Sequence, residues 1–156
     1  MPLFRTVLYS TDFSPLAELA LEYVKKLKEA GTKKVIVVHV VESLSVELPE
    51  GVDLLDAEII SKILPRADQL VVTSAIEKLE RVKKTLEFCG FEVELALRYG
   101  TPGDEIVSVA EEKKVNIIVM GAHGKGLLTE ILVGSVSVDV MRKAKCPVLI
   151  IKRREE

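Results

Sequence analysis

The stretch VNIIVMGAHGKGLLTEILVGSVS, residues 115–137, decides the fold. It opens as an apolar, β-branched strand from Val115 to Met120 and runs at once into three glycines within six positions, Gly121, Gly124 and Gly126. A Gly-Ser pair, Gly134-Ser135, follows ten residues after the second of these glycines. A helical pattern through Val136, Val140 and Met141 comes next, then a last strand from Pro147 to Lys152. Glycine costs backbone entropy and offers no side chain, so clustering it between a strand and a helix serves a bend or a close backbone approach. Backbone amides freed by such a loop, with the N-terminus of a helix beginning near Ser135, suit an anion such as phosphate.

Working outward, the same alternation fills the rest of the chain. Thr6 to Tyr9 reads as a strand and STDFSP as a loop, with Ser14 at an N-cap and Pro15 at the first helical position. Leu16, Ala20, Leu21, Val24 and Leu27 recur at helical spacing, which predicts a helix over 15–30 ended by Gly31. Val35 to Val41 is the near-continuous β-branched run of a strand covered on both faces. Residues 43–67 lack one period and are expected to hold an irregular excursion with a short helix around Leu54 to Leu64. A helix from Asp68 to Phe88 and a strand from Phe91 to Tyr99 follow. In GTPGD, residues 100–104, Thr101 is placed to cap a helix, Pro102 suits its first position and Asp104 its dipole. Strands alternating with crossover-length helices predict one α/β domain over 1–156, a parallel sheet between helices.

Composition narrows the function classes. The chain has 156 residues, 48% hydrophobic and 29% charged, and its apolar runs fall short of a membrane span, so no membrane partner is implied. With 22 basic and 24 acidic residues intermixed, there is no basic face for nucleic acid, and 4% aromatics without Trp offer no base-stacking platform. The N-terminus MPLFRTVLYS reads as a first strand, not a signal peptide, and a cytoplasmic location is expected. Cys89 and Cys146 are isolated and are expected to be plain buried thiols, so no zinc site or disulfide framework is indicated.

In an open α/β sheet, ligands lie beyond the carboxyl ends of the strands where the strand order reverses. The loops after the first and fourth strands, Ser10 to Ser14 and Gly121 to Gly126, share one crevice if those strands are neighbours. Amides in the second loop would take phosphates, and Asp12 on the opposite wall could accept from ribose hydroxyls. The segment is no Walker A motif, because Leu127 and Leu128 stand where Lys and a hydroxyl belong, and its GxxGxG order is not the dinucleotide fingerprint.

What it does fit is Gly121-x2-Gly124-x9-Gly134-Ser135, and there the sequence resembles the ATP-binding branch of the universal stress protein family. The resemblance covers essentially the whole chain: VLYSTDFS at 7–14, VIVVHVV at 35–41, GTP at 100–102, IIVMGAHGKG at 117–126, GSVS at 134–137 and CPVLIIKR at 146–153. It implies a five-stranded Rossmann-like sheet in the order 3-2-1-4-5. It also implies that Asp12, with Val40 and Met120 through backbone groups, holds adenosine. Gly121, His123, Gly124, Gly134, Ser135, Val136 and Ser137 would surround phosphates and ribose, with Mg or Mn bound through the phosphates. Ser10 departs from the family's frequent Pro, and Gly126 falls one place early.

Plainer readings stand beside these. Asp12 could simply start a turn ahead of Ser14. His39 reads as a satisfied core histidine, Lys125 as a solvated loop cation, and Lys152-Arg153-Arg154 as a solvated end. The resemblance implies an ATP-binding stress-response regulator, and because no acidic pair or positioned base is legible, the expectation is a switch with at most slow hydrolysis. The alternative is a dimeric interaction module that binds no nucleotide. In the implied order the apolar strand Cys146 to Ile151 is a sheet edge, which predicts a homodimer through it.

Overall fold

The computed structural model describes residues 2–122 and 134–153. His123, Gly124, Lys125 and Gly126 lie outside the described residues.

The strands are β1 (Thr6–Ser10), β2 (Lys34–Val41), β3 (Glu92–Tyr99), β4 (Ile117–Gly121) and β5 (Val148–Ile151). They form one parallel sheet in the order β3-β2-β1-β4-β5. Helices α1 (Pro15–Lys26) and α2 (Arg66–Phe88) cover one face, and α3 (Pro102–Glu112) and α4 (Ser135–Lys143) the other. Successive strand residues point to opposite faces. Val7 and Tyr9 therefore join Val35, Val37, Ile117 and Val119 beneath α1 and α2, whereas Leu8, Ile36, Val38, Ile118 and Met120 pack with Ile106, Val109 and Val140. A strand buried on both sides has no polar positions to alternate, which is why these runs look continuous in the sequence.

Ser14 caps α1 as expected, accepting from the Ala17 amide at 3.2 Å, with Pro15 at the first position. The α-helix stops at Lys26 and tightens to a 3-10 turn over Leu27–Ala30, and Gly31, at φ 95°, ends it. Thr101 stands at the N-cap of α3 as expected but makes no side-chain cap bond: its hydroxyl is turned to donate to Glu50 Oε1 at 3.0 Å, and its amide reaches the same oxygen at 3.3 Å. The competing acceptor comes from the irregular excursion, which sequence periodicity could not place.

That excursion covers a sheet edge. Residues 51–54 run antiparallel along β3, with Gly51 N–H donating to Tyr99 O at 3.1 Å and Leu54 N–H to Leu97 O at 2.8 Å, while Leu54 is fully buried. The backbone groups of an open edge would otherwise invite pairing with another chain. The short helix expected there is a π-helical turn over Ile59–Ile63. Its return is tied down by buried Asp68 in the first turn of α2, which accepts from the Ser45 amide at 2.9 Å and the Ser45 hydroxyl at 2.8 Å. These bonds, the amide's first, hold the Asp68 carboxyl below the usual carboxylate range.

Candidate functional site

β1 and β4 are neighbours, with Ser10 opposite Met120, so the strand order reverses between them. Beyond their carboxyl ends opens a cleft of about 560 Å³, a volume in the range of small-molecule sites. One wall is the turn after β1. There Thr11 Oγ1 accepts from the Phe13 amide at 2.9 Å and Asp12 Oδ1 from the Ser14 amide at 3.0 Å. Phe13 between them takes φ 64°, a left-handed conformation that costs a bulky residue energy and persists only where its surroundings impose it. Its ring packs on His39 with centroids 4.6 Å apart. Asp12 thus makes the turn-forming bond of the plainer reading and also lines the cleft.

β2 supplies the next wall. β1 ends opposite Val38, so β2 runs on through His39, Val40 and Val41, paired on its outer side with β3. Half-buried His39 donates from Nδ1 to Thr11 O at 2.8 Å, and burial holds its imidazole below the ordinary histidine value. A neutral ring bonded through Nδ1 leaves Nε2 as an acceptor. It is satisfied, as the sequence suggests, but it sits at the cleft and not in the core.

The far wall is the N-terminus of α4, where Ser135 and Val136 line the cleft beside Ala122. Gly134 is the N-cap and brings no cap side chain to the first-turn amides, which with the helix dipole favour an anion. Its φ of −79° is open to any residue, so Gly134 is not required there for a positive φ.

Of the residues predicted for the site, Asp12, Val40, Ser135 and Val136 line the cleft together. Met120, Gly121 and Ser137 stand behind it. The Met120 side chain is fully buried in the core, and fully buried Ser137 donates from Oγ to Gly121 O at 3.3 Å, clamping α4 to the end of β4. His123 and Gly124 lie outside the described residues. Ser10 and Thr11, in the loop the sequence reading placed at the crevice, line it too, and the reading left out Leu16, Glu42, Ile106 and Arg153. Their shared signal is position: each lies at the carboxyl end of a strand or in the first turns of a following helix. Lys152 and Arg153 are exposed, as the reading of a solvated end expects, and Arg153 also borders the cleft. Cys89 and Cys146 are unpaired and half-buried instead of fully buried.

Pro102 and Ile106 of α3 complete the cleft, and the same helix carries a buried acid, Glu105. Glu105 is 5% exposed, its Oε1 has no hydrogen-bond partner among the described residues, and it packs against Gly100. Burial, then the Glu50 charge, raises its carboxyl above the ordinary value. A raised carboxyl binds more protons folded than unfolded, so its contribution favours folding below the unfolded value and is lost as pH rises through the folded one. Glu105→Gln is expected to melt higher than wild type at pH 8 and to converge with it toward pH 4, measured by thermal denaturation across pH. A variant that melts lower at pH 8 would show that the charge is compensated.

A doubly wound parallel sheet with a cleft at its switch point defines a Rossmann-like α/β fold. The profile of the universal stress protein family matches residues 3–152, and the chain belongs to that family. It is 36% identical to universal stress protein MJ0577 of Methanocaldococcus jannaschii over 97% of both chains. The solved MJ0577 structure superposes with a TM-score of 0.80, covering 99% of each chain. Universal stress protein MJ0531 of the same organism is 35% identical over 97% of this chain and 84% of its own. A universal stress protein from Archaeoglobus fulgidus, solved in complex with dAMP, is 27% identical, with a TM-score of 0.62 over 97% of this chain and 100% of its own. Among the described residues no helix is long and apolar enough to cross a membrane.

Proposed function

We propose that the protein binds ATP in this cleft and acts as a cytoplasmic stress-response regulator, a nucleotide-dependent switch with at most slow hydrolysis. The observation that carries the reading is the pairing of opposite walls. Asp12 is an acceptor for ribose hydroxyls on one side, and the α4 N-terminus with Ser135 and Val136 is an anion site on the other. The overhanging backbone at Val40 is the contact for adenine. The glycine spacing of Gly121, Gly124 and Gly134 and the dAMP complex of the Archaeoglobus relative support the same assignment. Bound ATP brings a polyphosphate that carries its own divalent cation, Mg²⁺ or Mn²⁺, through phosphate oxygens.

The unit proposed is a homodimer. β5 pairs with β4 on one side, and Val148, Leu149 and Ile150 remain half-buried at the other edge of the sheet. Unlike the β3 edge, it has no excursion lying along it among the described residues, and pairing with a second β5 would satisfy its backbone. Native mass spectrometry of the purified chain is expected to show a dimer carrying ATP, or taking it up from Mg-ATP after stripping. A chain that takes up no nucleotide would overturn the ATP reading in favour of the interaction module, and a monomer at micromolar concentration would overturn the dimer.

A further inference from the structure

Three side chains of ordinarily ionised type line the cleft among the described residues: Asp12, Glu42 and Arg153. Two carboxylates repel a polyphosphate, so Arg153 is the one permanent cation on the described lining. Its place is fixed by the sheet. β5 runs parallel to β4, and Ile151 O accepts from the Ala122 amide at 2.8 Å, which fastens the end of β5 to the first residue beyond β4. Arg153 follows two residues later and, although exposed, borders the same cleft that Ala122, Ser135 and Val136 line. A guanidinium and a helix N-terminus on the lining of one cleft both favour an anion bound between them. No carboxylate among the described residues pairs with Arg153.

We infer that Arg153 binds the polyphosphate of the nucleotide and sets the preference of the cleft for a nucleoside triphosphate over the bare nucleoside. The inference rests on the ATP reading above. A forked guanidinium is suited to two phosphate oxygens at once, and its position at the end of β5 links phosphate occupancy to the strand proposed for the dimer edge. The test is calorimetry of the full chain with ATP and with adenosine, comparing wild type, Arg153→Ala and Arg153→Lys. Loss of a charge-assisted contact is expected to weaken ATP by about 10- to 100-fold in Arg153→Ala and to leave adenosine within about two-fold, with Lys restoring part of the ATP affinity. Raising salt is expected to weaken ATP more in wild type than in Arg153→Ala. Unchanged ATP affinity in Arg153→Ala would overturn the inference and leave the ATP reading standing, as would equal losses for ATP and adenosine. Absence of binding by wild type to either ligand would remove the ATP reading and this inference with it.

Discussion

Gly134→Val is expected to abolish ATP binding while the chain stays folded. Gly134 is the N-cap of α4, and at φ −79° and ψ 169° its backbone is one that Val adopts without strain. The substitution therefore costs stability only through a poorer N-cap, about 1 kcal/mol. Binding is a different matter, because in the proposed complex the first-turn amides of α4 come against phosphate oxygens and a branched side chain at the cap would stand in that approach. A loss of at least about 100-fold in ATP affinity is expected by calorimetry, corresponding to roughly 3 kcal/mol, with an unchanged far-ultraviolet circular dichroism spectrum. Asp12→Ala supplies the contrast: Asp12 is proposed for the nucleoside end, so its loss should weaken adenosine and ATP alike. If Gly134→Val binds ATP as tightly as wild type, the α4 N-terminus is not the phosphate site.

The parts of this structure that the sequence made legible are those with a period or a local rule. Val35 to Val41 and Ile117 to Met120 announce buried parallel strands because neither face is polar. Ser14-Pro15 announces the start of α1 because capping is decided within four residues. What could not be read depends on partners far along the chain. Thr101 has the right type and position for a cap, yet Glu50 takes its hydroxyl, and nothing local to either residue foretells that pairing. Residues 51–54 lie on β3 through backbone bonds, which leave no side-chain pattern. The cleft shows the same division. Asp12, Val40, Ser135 and Val136 could be assigned because the family resemblance marks them, whereas Arg153 joins them only through the parallel register that ends β5 beside β4.

Gly121 shows that one motif can need its glycines for different reasons. A Cβ built there would lie 3.1 Å from both Leu16 O and Leu16 Cγ, tighter than an ordinary van der Waals contact. The carbonyl belongs to the first turn of α1 and cannot swing aside like the end of a flexible side chain. Val at this position adds two methyl groups against that turn, so α1 must lift from β4 or β4 must bend, an overpacking cost of about 1 to 3 kcal/mol. The penalty falls on the empty protein, before any nucleotide is present. Leu16 follows Ser14 and Pro15, so the strain also reaches the turn that holds Asp12. Gly121→Val is thus expected to lower the urea midpoint of unfolding and to weaken adenosine as well as ATP, whereas Gly134→Val lowers the midpoint by no more than its poorer cap costs and leaves adenosine nearly unchanged. A Gly121→Val chain as stable as wild type would mean that α1 yields without cost, and the glycine would then have to be explained by the ligand alone.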